Sequence, residues 1–229
     1  MRQCLRRLCA AAVWMLGLPL WAGGLTILPT RIDFAAGRGV QSVLLTNTSA
    51  ETVTVETQMV VWPEGAAGQL ANDVVVTPAV VTLPPSQRVR LRIGLLRPTP
   101  STTERAYRLY LTELSAPSPL QGAGIGVRLR IGIPVFVHPT QIQAEPLQWS
   151  MQPNDAGWQL VARNGGNVHT RIAQVQLVGP VEPLRVALPS HYVLARSELG
   201  IPLAAPVPSA MRVRWMEGDN ERESALVAP

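Results

Sequence analysis

Acid–base catalysis and metal binding need His, Cys or carboxylate side chains at matched spacing, and this chain offers few of them. Its three histidines, His138, His169 and His191, are far apart in the sequence with no partner at metal-ligand spacing, and each reads as a surface or turn residue. Glu221 and Glu223 make a carboxylate pair, but they lie in a charged C-terminal strip and read as solvent-facing. Met59, Met151, Met211 and Met216 are scattered without a Met/His cluster, so they read as core packing rather than copper ligands. There is no Gly-x-Ser-x-Gly elbow, phosphate loop or dinucleotide fingerprint, and no helix follows the glycines of Gly122–Gly126 to give them meaning. No enzyme activity, cofactor or metal is expected. The chemistry left to this chain is recognition.

One element stands out as a recognition surface. Ile125, Val127, Leu129, Ile131, Ile133, Val135 and Val137 occupy every second position of one run, which places them on one side of a single long strand. Arg128, Arg130, Gly132, Pro134 and Phe136 take the other side, where Arg128 and Arg130 read as solvated charges blunting an edge. Pro134 lacks the N–H of a central strand, so the run is expected at a sheet edge. Soluble proteins usually keep such edges short or charged, because unpaired backbone recruits other chains. A long edge with an unbroken apolar stripe is either a core strand of its own domain or a tool for binding another protein.

Composition narrows the setting. Arg2, Arg6 and Arg7 precede an apolar segment from Leu8 to Leu20 and the small residues Ala22-Gly23-Gly24, the pattern of a secretory signal peptide cleaved near Ala22 or Gly23. Pro19 interrupts the apolar segment, which falls short of the roughly 20 residues a membrane span needs, so no stable membrane insertion is expected. Cleavage would remove Cys4 and Cys9, the only cysteines, and exclude a disulfide framework. It would also lower the formal charge from +5 to +2, with 17 Arg against 15 acidic residues. The high isoelectric point is therefore partly a targeting feature, partly a consequence of the absence of Lys, and nucleic-acid binding loses its support.

Roughly 207 residues remain, room for one large or two small domains. Strand-like runs cover Leu25–Phe34, Val40–Asn47, Thr52–Trp62, Asp73–Thr77, Arg88–Gly94, Ala106–Leu114 and Ile125–Val137. Seven short strands in so short a span predict an immunoglobulin-like sandwich without the usual disulfide. His138–Pro146 breaks the pattern and reads as a hinge. Shorter runs follow at Pro146–Met151, Trp158–Arg163, Thr170–Val178, Leu184–Leu188, Gly200–Leu203 and Met211–Met216. The expected organisation is a signal peptide over 1–23, a first domain over 24–139, and a smaller β-sandwich over 140–229.

These residues, in order, resemble a family. Pro29-Thr30-Arg31, Thr46-Asn47-Thr48, Trp62, Thr77-Pro78, Leu83-Pro84-Pro85, Gln87-Arg88-Val89-Arg90, Tyr107-Arg108-Leu109 and Ile133-Pro134-Val135-Phe136-Val137 carry the likeness in the first half. Asn164-Gly165-Gly166-Asn167-Val168-His169 and Tyr192-Val193-Leu194 carry it in the second. Together they resemble the periplasmic chaperones of the chaperone–usher pilus pathway, in particular the archaic branch that serves spore-coat-U-like subunits. The resemblance implies an all-β boomerang of two immunoglobulin-like domains, located in the periplasm, that holds one pilus subunit and delivers it to an outer-membrane usher. It also implies that the seventh strand completes the subunit's sheet, with Ile125, Val127, Leu129, Ile131 and Ile133 as donor residues. A cationic anchor for the subunit's C-terminal carboxylate would fall on Arg31. The Lys that better-known relatives place on the seventh strand would fall at Pro134, so the second cation is missing, and Arg90, Arg92 or Arg108 could replace it. The competing reading is a structural pilus subunit or adhesin, but such subunits usually carry a disulfide and an N-terminal donor extension.

Overall fold

A computed structural model describes residues 24–35, 39–64, 68–96, 100–114, 128–155, 157–180, 183–186, 188–203 and 212–227. The first half contributes β1 (Leu25–Leu28), β2 (Ile32–Phe34), β3 (Val40–Asn47), β4 (Val53–Val61), β5 (Val74–Thr77), β6 (Val80–Leu83), β7 (Arg88–Leu95), β8 (Arg105–Glu113) and β9 (Arg130–Val137). They form two sheets, in the orders β1-β3-β7-β5 and β2-β9-β8-β4-β6. Alternate side chains of each turn inward, and Val43, Leu45, Leu91 and Ile93 of one sheet meet Phe34, Val55, Leu109 and Val135 of the other in one core.

The run Leu25–Phe34, expected as one strand, is two. β1 pairs antiparallel with β3, whereas β2 pairs parallel with β9 in the opposite sheet. Pro29 cannot continue a ladder because it has no N–H, so the chain changes sheets across Pro29-Thr30-Arg31 and leaves Arg31 at the crossing.

The second half supplies β10 (Gln148–Asn154), β11 (Gly157–Arg163), β12 (Thr170–Val178), β13 (Leu184–Arg185), β14 (His191–Val193), β15 (Glu198–Leu203), β16 (Arg212–Glu217) and β17 (Asn220–Val227). They make one curled sheet in the order β13-β12-β16-β17-β10-β11-β15, with β14 also on β12. A second core, distinct from the first, packs Trp149, Leu160, Ile172, Leu177, Val213 and Trp215. β17 includes Glu221 and Glu223. Glu223 accepts hydrogen bonds from Arg212 and Arg214 of β16, both at 2.9 Å, so the charged strip is an exposed strand rather than a tail. No helix among the described residues is long and apolar enough to cross a membrane.

Candidate functional site

β9 is half edge and half interior. It pairs with β8 from Arg130 to Val137, but β2 covers its other side only at Val135, Phe136 and Val137. The amide of Glu113 bonds to the Leu129 carbonyl, which sets the ladder so that odd-numbered residues face β8 and even-numbered ones face away. Arg130 and Gly132 thus turn their backbone groups to an edge that is free among the described residues, and the N–H that Pro134 lacks is one that β8 does not need.

Burial along the stripe changes steadily. Ile133 is 2% exposed, Ile131 is half-buried against the same core, and Leu129 is 37% exposed. The stripe climbs out of its own sandwich toward Val127 and Ile125, which lie outside the described residues. Ile133 is therefore a correction to the donor set. Its side chain is enclosed by its own domain and is not free to fill a partner's groove.

The same strand borders a cleft between the two halves. A cavity of about 530 Å3 opens among Trp62, Arg108, Gly132 and Pro134 on one side and Tyr192 and Leu199 on the other. The Arg108 guanidinium stacks 4.2 Å from the centre of the Trp62 ring and lies 4.0 Å from Glu64. Arg108 and Tyr110 cover Gly132 so closely that an added Cβ would meet them at 3.0 and 3.1 Å. A neighbouring cavity of about 340 Å3 is lined by Thr30, Arg31, Pro134, Arg171, Ser190 and Tyr192. Arg31 donates from Nε to Asp33 at 2.8 Å.

Of the expected cations, then, the fold brings Arg31 and Arg108 to the cleft but not Arg90 or Arg92. Those two alternate with the core residues Leu91 and Ile93 on β7 and point outward from the other sheet, a second correction. Arg171 was missed. It occupies an otherwise ordinary alternating run, and only the pairing of β12 with β14 sets it beside Tyr192.

The histidines also depart from expectation. Glu104, whose side chain is 1% exposed, accepts a hydrogen bond from the backbone of His169 at 3.0 Å and lies 2.8 Å from its ring Nδ1. His138 Nδ1 lies 2.9 Å from the other Glu104 oxygen, off the line of a hydrogen bond, and its Nε2 is 3.1 Å from Asp33. Neither ring is an ordinary surface or turn residue. Nearby carboxylates, Glu104 above all, raise the His138 pKa above the usual imidazole range. Burial pushes Glu104 up, but its contacts with the two histidines outweigh this and hold it below the usual carboxylate range. His191 alone matches the plain reading, exposing a ring near the Pro189 carbonyl. Among the described residues no group of three or more His, Cys, Asp or Glu could hold a metal ion.

Beside this network, His169 stacks on Phe136 with ring centroids 3.7 Å apart, and Tyr192 approaches both rings and Trp62. Phe136 is fully buried yet belongs to neither core, which makes it the apolar centre of the seam. The connection expected as a hinge is tied down. Asn167 donates from its side chain to the carbonyls of Thr102 and Gln141 and accepts from the Gln143 amide, while the Glu104 amide bonds to the Asn167 carbonyl. Gly166 packs under this loop, where a Cβ would meet the Glu145 nitrogen at 2.8 Å and the Gln143 oxygen at 2.9 Å.

No curated protein sequence matches the chain. Among solved structures, the CsuC–CsuE chaperone–tip subunit pre-assembly complex from the archaic Csu pili of Acinetobacter baumannii gives a TM-score of 0.68 at 17% identity, covering 90% of this chain and 99% of that one. The Pseudomonas aeruginosa CupB2 chaperone gives 0.62 at 21% identity, covering 88% and 100%. The Salmonella enterica SafA pilin complex with the SafB chaperone gives 0.66 at 15% identity, covering 89% and 96%. These likenesses are of fold: two immunoglobulin-like domains. Residues 24–143 match the model for the PapD N-terminal domain of pili and flagellar-assembly chaperones. That match spans more than half of the sequence, and the chain belongs to this chaperone family.

Proposed function

We propose that this protein is a periplasmic pilus chaperone of the archaic chaperone–usher type, which holds a subunit by lending it the free edge of β9. The observation that carries this reading is the burial gradient from Ile133 to Leu129 along an edge left open over Arg130–Gly132. An acceptor strand would gain main-chain hydrogen bonds there, while Leu129, Ile131 and the upstream Val127 and Ile125 fill its apolar groove. Each side chain buried in full contributes about 1.5–3 kcal/mol before the costs of association. Arg31, at the cleft end of that edge, is the anchor for a chain-terminal carboxylate. The signal-like N-terminus supports export to the periplasm, and delivery to an outer-membrane usher follows from the family reading. The same membership disfavours a structural subunit or adhesin.

The test is Leu129→Glu. The carboxylate stays near water in the free chaperone but enters an apolar groove unpaired in the complex. Coexpression with its pilus subunit, then pull-down and a thermal melt, should give a folded protein that no longer retains subunit. Unfolding of the free variant, or undiminished capture, would contradict strand donation through this position.

A further inference from the structure

We propose that Glu104, His138 and Asp33 form a proton-operated latch at the domain seam, which fixes the angle of the cleft while the His138 ring is protonated and frees it when the ring loses its proton. The latch acts on the cleft whatever the cleft holds.

His138 lies between two carboxylates. Its Nδ1 is 2.9 Å from Glu104 Oε2, and its Nε2 is 3.1 Å from Asp33 Oδ1. A neutral imidazole carries one N–H, so one of its nitrogens would turn a lone pair on a carboxylate, whereas the imidazolium has a proton for each. Glu104 Oε2 and His138 Nδ1 are both buried, and among the described residues neither has a hydrogen-bond partner. The charge on the ring is therefore what compensates that oxygen. The other Glu104 oxygen reaches across the seam to His169, whose ring stacks on Phe136 and meets Tyr192 edge-on. Arg31 donates to the second Asp33 oxygen. The titratable and charged groups around His138 are thus Asp33 and Arg31 at β2, Glu104 ahead of β8, and His169 and Tyr192 from the second domain. Arg105, on β8 opposite Val137, is held by Asp73 instead.

Contact with Glu104 above all, assisted by Asp33 and opposed by burial, raises the His138 pKa above the usual imidazole range. The latch is therefore closed below that range and opens as pH rises through the raised value. Once the ring is neutral, Glu104, at 1% side-chain exposure, is an under-compensated buried charge. Drawing apart from the second domain and admitting water relieves it. The pivot does not titrate, because Asn167 is tied to the Thr102 and Gln141 carbonyls and to the Gln143 amide. Each domain also keeps its own core. Loss of the proton thus spreads the domains without unfolding either.

The experiment uses the mature chain from residue 24, which lacks Cys4 and Cys9, so Arg88→Cys and Arg185→Cys place one spin label on an exposed site of each domain. Double electron–electron resonance then reads the interdomain distance from about pH 6 to about pH 9. The distribution should be narrow at the acid end and broaden with a midpoint above about pH 6.5, the ordinary imidazole value. Asp33→Asn should lower that midpoint by about one unit. Glu104→Gln, which leaves no buried charge to compensate, should show one width at every pH. His191→Gln should follow wild type. Circular dichroism should report both domains folded throughout. A wild-type distribution that does not change with pH would overturn the proposal, whatever the variants do. So would a broadening that survives in Glu104→Gln, one that vanishes in His191→Gln, or an unmoved midpoint in Asp33→Asn. Loss of the folded signal over the same pH range would overturn it as well, since the transition would then be unfolding rather than release of a latch.

Discussion

Glu104→Ala should cost about 3–5 kcal/mol, the penalty for removing one partner of a buried charged pair. The magnitude follows from what the carboxylate holds. One oxygen takes the His169 backbone at 3.0 Å and lies 2.8 Å from its ring, and the other lies 2.9 Å from His138. Hydrogen bonds to charged groups contribute about 1.5–3 kcal/mol each, so two of them reach the same range. Because the network joins the domains, its loss should appear as a lower urea midpoint. The pH dependence has a definite sign. His138 has a raised folded pKa, so its contribution is complete below the ordinary imidazole range and fades as pH rises through that raised value. Glu104 has a lowered folded pKa, so its contribution is present above the ordinary carboxylate range and fades as pH falls through the lowered value. Wild-type stability should therefore peak in mildly acidic solution and decline toward alkaline pH, and Glu104→Ala should flatten much of that decline. Urea titrations of both proteins from about pH 5 to about pH 9 measure it, and subtraction removes the groups they share. A loss below about 1 kcal/mol, or an unaltered pH slope, would refute the buried-pair account.

Two further substitutions test the packing. Gly166→Ala should destabilise by about 1–3 kcal/mol because its Cβ meets backbone on both sides, whereas at Gly165 the obstacle is the movable end of Glu145 and the effect should be milder; chemical denaturation of the pair checks the order. Ile133→Ala should lose about 2–5 kcal/mol of folding stability as a core truncation, but Leu129→Ala, at 37% exposure, far less; thermal melts decide, and equal losses would place Leu129 in the core.

Where side-chain alternation alone determines an element, the sequence is legible. Val40–Asn47 and Thr170–Val178 are strands with the bounds that their patterns predict. Pro134 announces an edge, and the ladder explains why it is tolerated there. Asn220–Val227 shows no apolar alternation, because Glu221-Arg222-Glu223 are three consecutive charges, and its stability comes from β16 and β10 beside it. Ile133 was misjudged for a different reason. The stripe passes from exposed edge to closed core without any change in residue type, so only the sandwich around it marks the border. The seam was invisible because Glu104 and His169 are 65 positions apart, and no local pattern links them. Arg171 likewise acquires meaning only from a cavity that two domains share.

The most direct measurement of strand donation is residue-resolved amide hydrogen exchange at Arg130 and Gly132, whose N–H groups face the free edge of β9. In the free chaperone both amides should exchange quickly, while the Ile131 amide, facing β8, is protected. In the chaperone–subunit complex Arg130 and Gly132 should become as protected as Ile131. Fast exchange at both positions in a saturated complex would contradict the account, because no strand would then have joined that edge.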